Sequence, residues 1–288
     1  MGLKKILNYY SRIDASLPHF NFSSPEQLKG IVRGCLKTQS PIFVALSETE
    51  AEFVGYDMAR KTVDLYQQRY NWTIYLNADH HKSLTSIKKA IEAGFDGVHI
   101  DLSDHSLAEN IRITKKVVAM AKAHSSLISV EGELGKIGEG KYKSNELIKN
   151  YTEISVVNSY LKETGVDRLA VAIGSSHGMD KKIAKLDLEL LKKISLRLLP
   201  QTSLTLHGAS GVPDEQLKIA RKYFSNVHYN TELRIAFRNG LKEGLTSGSI
   251  KPYQYFEDAI DEVEKTVEDR VRLLNSNNKE EIIKELLW

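Results

Sequence analysis

The sequence predicts an α/β protein, a (β/α)8 TIM barrel, on three observations. Short apolar runs alternate with amphipathic segments almost from end to end, and strands that alternate with helices pair in parallel. Eight such units fit within 288 residues, a length at which barrels of this kind close. Polar residues able to do chemistry recur just past apolar runs spread along the whole chain, and a barrel gathers all of those positions on one face. A doubly wound open sheet is the competing architecture, but it would leave the ends of its third and eighth strands far from the sixth.

Phe20 to Phe22 reads as a weak first strand, after which Ser23 or Ser24 caps a helix with Pro25 in its first turn. Ile42 to Leu46 is apolar and β-branched, a buried second strand. Thr49 to Tyr70 carries helical spacing through Phe53, Met58, Val63 and Tyr66. Trp72 to Leu76 is the third strand, followed by a helix from about Leu84 to Gly94. Gly97 to Ile100 is the fourth, followed by a helix from His105 to about His124. Leu127 to Val130 is the fifth and runs into a glycine-rich loop, Gly135 to Gly140, with a polar tail to about Asn150. Helix Ile154 to Thr164, strand Leu169 to Ile173, helix Leu186 to Leu196 and strand Ser203 to Leu206 come next. A helix from Asp214 to Phe224 and a short strand from Val227 to Tyr229 complete the eighth unit. Helices Glu232 to Leu245 and Tyr253 to about Leu274 end the series, and the polar tail from Asn275 is expected to be peripheral. No linker or repeat beyond the βα unit interrupts the chain. One domain over residues 1–288 is expected, with a C-terminal helical extension from about residue 250.

Composition removes several function classes. A net charge of +3 with scattered basic residues argues against nucleic-acid binding. The lone Cys35 excludes an internal disulfide framework and a cysteine-rich zinc site. The opening MGLKKILNYY is not a signal peptide, its apolar run being broken by Asn8, and Ile6 stands where myristoylation would need Ser or Thr. No apolar run approaches the roughly 18 residues that span a membrane, so the cytoplasm is the default expectation.

The strand ends carry the chemistry. In order they present Asn21, Ser47, Asp79 with His80, Asp101 with Ser103, Glu131 with Glu133, His177, His207, and His228 with Asn230 and Thr231. Imidazoles from separate strand ends, with a fourth position open, suit a catalytic zinc, because a metal needs several neutral imidazoles together. A single histidine in such a place would more simply be a satisfied hydrogen-bonding residue. Glu131 and Glu133 alternate on one strand and so point the same way, as a partner to a ligand, an alternative metal position or a buried ion pair. The sequences His177-Gly178 and His207-Gly208-Ala209-Ser210-Gly211 expose backbone N–H groups beside helix starts, where a phosphate binds, with Lys181 within reach. The same glycines could merely permit tight turns. Gly174-Ser175-Ser176-His177-Gly178 also matches a nucleophile elbow with Ser176 as nucleophile, but no oxyanion-hole motif or triad partner accompanies it.

With these residues in place the sequence resembles the class II, metal-dependent fructose- and tagatose-bisphosphate aldolases. The matching stretches are NADHH (77–81), GVHIDLSDHSLAENI (97–111), VEGELG (130–135), GVDRLAVAIGSSHG (165–178), LTLHGASGVP (204–213) and NTELRIAF (230–237). The resemblance runs from about Phe20 to about Leu274 and implies the same barrel. It implies that His80, His177 and His207 hold a catalytic zinc or other divalent metal, that Glu133 and Asp101 match an alternative or second metal position, and that a monovalent cation accompanies it. It implies Asp79 as the acid–base group, Gly178, Lys181, Gly208, Ser210 and Thr231 as a phosphate cradle, and Asn21 and Ser47 as substrate-lining. The implied reaction is reversible cleavage of a ketose phosphate, like fructose or tagatose 1,6-bisphosphate, to dihydroxyacetone phosphate and an aldehyde, in a homodimer or larger assembly.

Departures gather in one part of the site. His228 stands where the family has an asparagine, Asn230 where bacterial fructose-bisphosphate aldolases have an aspartate, and His81 where a small residue is usual. The loop Gly138-Glu139-Gly140-Lys141 lacks a clear equivalent of the glutamate that moves the C3 proton, and Glu139 is the substitute. Glu48-Thr49-Glu50 follow Ser47 where the family has small residues. All fall where the aldehyde and the proton relay would sit. They point to a changed substrate or a slower enzyme, with a non-catalytic phosphosugar-binding paralogue as the alternative and a serine hydrolase as a remote one.

Overall fold

The computed structural model describes residues 2–139, 148–178 and 184–287. Eight parallel strands close a barrel: β1 (Leu17–Asn21), β2 (Ile42–Ser47), β3 (Ile74–His81), β4 (Gly97–Ile100), β5 (Ser129–Leu134), β6 (Arg168–Val171), β7 (Ser203–Leu206) and β8 (Asn226–Tyr229). They follow one another around the ring in chain order, with β8 pairing back onto β1 through Leu17 opposite Asn226 and Pro18 opposite Val227. This is the expected barrel, and the open sheet is excluded by that closing pair.

The alternation of each strand decides what faces what. One set, including Phe20, Val44, Leu46, Leu76, Val98, Val130, Leu169, Leu204 and Val227, packs against the helices in the main hydrophobic core. The alternate set fills the lumen and is unusually polar: His19, Asn77, His99, Glu131, Arg168, Thr205 and Asn226 are all fully buried. Arg168 holds this layer together. Its guanidinium pairs with Glu131 Oε2 at 2.6 Å and donates to Asn77 Oδ1 at 2.7 Å.

The helices form the outer layer: α1 (Leu3–Tyr10), α2 (Pro25–Thr38), α3 (Glu48–Val54), α4 (Tyr56–Tyr70), α5 (Leu84–Glu92), α6 (Leu107–His124), α7 (Ile154–Thr164), α8 (Leu188–Ser195), α9 (Asp214–Ala220), α10 (Thr231–Thr246), α11 (Pro252–Leu273) and α12 (Glu280–Leu287). Ser24 caps α2, as expected, by accepting the Gln27 N–H, with Pro25 in the first turn. The stretch read as one helix from Thr49 to Tyr70 is two. Gly55, at φ +87°, ends α3 and turns the chain into α4. The helix read to Phe224 ends its α-helical part at Ala220 and finishes as a 3-10 turn, Arg221–Tyr223.

The two ends of the sequence hold structure that the sequence reading did not assign, and the C-terminal one departs from the expectation. The opening segment is a helix, whose Leu3, Ile6, Leu7 and Tyr10 join Leu17, Phe43 and Tyr75 in a second apolar cluster under the barrel floor. The tail from Asn275 is not peripheral. Glu280 and Ile283 of α12 are fully buried, Glu280 accepts the Thr73 N–H at 2.7 Å, and Ser276 Oγ meets the Tyr10 hydroxyl at 2.7 Å. Among the described residues no helix is long and apolar enough to cross a membrane.

Candidate active site

The strand ends converge as the barrel requires. A cavity of about 90 Å³ at the carboxyl ends of the strands is lined by Asn21, Ser47, Asp79, His80, His177, Gly178, His207, Gly208, Ser210, His228, Asn230 and Thr231, together with Ser176. Those residues come from six strands or their exits and from the first turn of α10.

β3 delivers two of them by breaking its own alternation. Asp79 and His80 are consecutive and should point to opposite faces. The register with β4 shifts between Ala78 and His81, and His80 takes a left-handed backbone at φ +46°. The irregularity turns His80 inward beside Asp79. The released His80 N–H is taken up by His99 Nδ1 at 3.2 Å.

A carboxylate partner favours one tautomer in each of two imidazoles. His80 Nδ1 faces Asp101 Oδ2 at 2.9 Å, so its proton sits there and Nε2 carries the lone pair. His207 Nε2 faces Glu131 Oε1 at 2.6 Å, so its proton sits there and Nδ1 carries the lone pair. These two lone pairs, His80 Nε2 and His207 Nδ1, face each other across 3.0 Å. Two acceptors cannot bond without a cation or a proton between them. The third predicted ligand, His177, lies beside them, its ring centroid 4.7 Å from that of His80 and 6.0 Å from that of His207. Its Nε2 is buried and without a hydrogen-bond partner among the described residues. Burial, then the neighbouring His80, lowers the pKa of His177 to about 3. Burial and His228 keep His207 well below the ordinary value. Burial opposes a charge on His80, but Asp79 outweighs it and raises its pKa, so His80 is where a proton settles when no cation is present. The donor set therefore fits a divalent metal.

Among the described residues, the grouping of potential ligand atoms that holds both His80 and His207 joins them with Asp79 and His99 and does not include His177. Asp101 and Glu133 close around His80, Glu133 Oε2 lying 3.8 Å from His80 Nδ1, and form another such grouping with it. Asp79 is fully buried. Burial disfavours its charge, but His80 and His228 hold its pKa well below the carboxylate range. Its Oδ2 accepts from Asn21 Nδ2 at 2.9 Å and its Oδ1 lies 3.2 Å from His228 Nδ1.

The glycine turns shape the other side. Gly208 sits at φ +66°, and a Cβ there would meet the Ser176 backbone at 2.8–2.9 Å, so any side chain would both strain the turn and push against the strand exit. Ser210 Oγ accepts the Glu232 N–H at 3.4 Å, and Asn230 leaves the start of α10 without a side-chain cap. The start of a 16-residue helix favours an anion. Glu139 is placed by its backbone alone, paired with His177 in a two-residue strand ladder. Lys181 lies outside the described residues. Ser176 Oγ is buried and has no hydrogen-bond partner among the described residues, so none of them activates it as a base would, and the nucleophile-elbow reading gains nothing from the structure.

Two residues of this site, His99 and His19, escaped the sequence reading, and two more, Glu131 and Glu50, were singled out without the contacts they make. His99 adjoins both His80 and His207, with ring centroids 4.6 and 4.8 Å away. Its signal was available, since it alternates with Asp101 on one strand. Glu131 was noticed beside Glu133 but not as the group that orients His207. His19 stacks on Phe43 at 3.8 Å and contacts His228 through Nδ1, a pairing that no local pattern announces. Glu50 reaches the site from the first turn of α3, where a capping box with Ser47 disguises it as a structural residue.

Residues 1–279 match the family described as Fructose-bisphosphate aldolase class-II. The YdjI aldolase from Escherichia coli K12 has a similar structure, at 24% identity and a TM-score of 0.83 over 96% of this chain and 98% of that one. A fructose-bisphosphate aldolase from Campylobacter jejuni is similar at 22% identity and a TM-score of 0.83, over 96% and 95% of the two chains. At these identities the structural likeness shows a shared fold alone.

Proposed function

The chain belongs to the class II fructose-bisphosphate aldolase family, and from that premise we propose that it is a divalent-metal-dependent aldolase that reversibly cleaves a phosphorylated ketose to dihydroxyacetone phosphate and an aldehyde. The observation that carries this reading is the approach of His80 Nε2 to His207 Nδ1 at 3.0 Å, beside His177, whose Nε2 has no hydrogen-bond partner among the described residues. Those three residues would hold the cation, and zinc suits an all-imidazole set. When bound, the metal would act as a Lewis acid at the substrate carbonyl oxygen.

The protein's own groups supply the rest. Asp79, kept ionised by its histidine neighbours, takes the proton from the C4 hydroxyl during cleavage and returns it in condensation. Asn21 fixes one oxygen of that carboxylate. Gly178, Gly208 and Ser210, with Thr231 at the start of α10, bind the phosphate and so position the reacting carbons. Glu139 is assigned to the proton at C3, and the backbone pairing of its two-residue strand with His177 supports this.

Release of dihydroxyacetone phosphate should be measured from fructose and tagatose 1,6-bisphosphates and from fructose 1-phosphate, with and without chelator and after metal is restored. Release that a chelator abolishes and zinc restores is expected from one or more of these substrates. Release that survives complete metal removal would overturn the three-histidine reading.

A further inference from the structure

Glu50 occupies a place from which the far end of a substrate can be read. Its carboxylate is 5% exposed and stands behind Asn21 and Asn230, both of which line the cavity. Oε1 accepts from Arg234 Nη2 at 2.6 Å and from Asn230 Nδ2 at 3.3 Å. Oε2 accepts from the Ser47 N–H at 2.8 Å and from Asn21 Nδ2 at 3.1 Å. That same Asn21 amide group donates to Asp79. One side chain therefore separates Glu50 from the carboxylate assigned to the C4 hydroxyl. Glu50 stands on the β2 side of the rim, across the ring from the β6 exit that carries Gly178.

Charge distinguishes the two sides. The glycine side, at the β6 and β7 exits, offers backbone N–H groups, which is provision for one phosphate, and the start of α10 lies between it and Glu50, which bonds Asn230 and Arg234 of that helix. The opposite side offers a desolvated carboxylate whose ion-pair partner among the described residues is Arg234, with a side chain 53% exposed. An approaching substrate meets a neutralised pair there rather than a free cation. A second phosphate would have to compete with Glu50 for Arg234 and face a like charge in a medium that screens poorly. Hydroxyl groups suffer neither penalty.

We propose that Glu50, acting through Asn21, Asn230 and Arg234, makes this site selective for ketose 1-phosphates, whose departing aldehyde is neutral and hydroxylated, over ketose 1,6-bisphosphates. The inference rests on the aldolase reading above and deepens it. Glu50 is a positioning and specificity residue and is not itself required to touch the reacting atoms.

The test compares fructose 1-phosphate with fructose 1,6-bisphosphate on the zinc-loaded protein and on Glu50→Gln. The wild type should favour the monophosphate in kcat/KM by about tenfold or more, a like-charge penalty of ordinary size. Glu50→Gln keeps the side chain's shape but frees Arg234, and should erode that ratio about tenfold through a lower KM for the bisphosphate. A purely structural role for Glu50 would depress both substrates together and leave the ratio fixed, overturning the proposal. A wild-type preference for the bisphosphate overturns it without any variant, so a Glu50→Gln protein that fails to fold does not shield it. Exchange of a dihydroxyacetone phosphate carbinol hydrogen with deuterium from solvent, in which a proton leaves C3 and a deuteron returns, separates this from the underlying reading. It needs no aldehyde half. Exchange without cleavage of either ketose overturns the specificity inference, whereas absence of exchange overturns the aldolase reading itself.

Discussion

Asp79 stands where its charge is most constrained, between an amide donor on one oxygen and an imidazole nitrogen 3.2 Å from the other. Asp79→Asn keeps the shape but removes the base, and should lower kcat by roughly 10²–10⁴-fold while zinc content, read by metal analysis, stays the same. His81, next to the proposed ligand His80, behaves differently. It is fully buried, edge-on to Tyr56, and burial lowers its pKa from 6.5 to about 4. The unfolded chain therefore binds this proton first as the pH falls. The stability contributed by the neutral ring is complete above pH 6.5 and is lost progressively down to about pH 4, by about 3 kcal/mol in all. His81→Phe should flatten the acid side of the stability profile by that amount, measured as urea unfolding at pH 7 and pH 4. An unchanged profile would mean that His81 is solvated in the folded protein. At this scale the sequence was readable wherever a residue stood at a strand end. His19 and Glu131 lie one turn of alternation deeper, and what they touch is fixed by the closure of β8 onto β1 and by the depth of the lumen.

Among the elements, α11 shows how the outer layer is closed between the last unit and the first. It lies between α2 and α10, and glycines line both contacts. A Cβ on Gly34 would come 2.7 Å from the Glu264 carbonyl oxygen and the Val267 side chain, and one on Gly240 would come within 2.6 Å of Ala259 Cα. Backbones approach this closely only where no side chain intervenes. Gly34→Val should thus cost about 1–3 kcal/mol or more, as overpacking does, and lower Tm, while zinc binding at the distant strand ends persists. If the variant melts with the wild type, the helices slide more easily than their contact suggests. The helical period of α11 was legible from Tyr253 onward. The roles of α1 and α12 were not. Each is only eight residues long, and they become a core only because Leu17, Phe43 and Tyr75 present a floor for them to cover. The break at Gly55 was likewise hidden, since apolar spacing continues through it from Phe53 to Met58.

For the whole molecule, the barrel was legible because one alternation, strand then helix, repeats eight times and leaves few ways to close. The same closure assembles the proposed metal ligands from β3, β7 and the exit of β6 without any of them holding the fold together. Zinc should then act as a ligand of an already folded protein. At a hundredfold excess over its Kd it stabilises by about 2.7 kcal/mol, which for a chain of this size raises Tm by roughly 5 °C. Chelation should reverse the shift in calorimetry while the far-ultraviolet circular dichroism below the transition is unchanged; collapse of that spectrum would show instead that the metal holds the barrel together. His80 adds a consequence of another kind. A histidine in a left-handed backbone beside a broken ladder is less comfortable than asparagine or glycine would be there, by an amount on the order of 1 kcal/mol. Asparagine or glycine at position 80 would relieve that strain and, with it, remove a proposed metal ligand, so there the demands of stability and of the proposed chemistry pull in opposite directions.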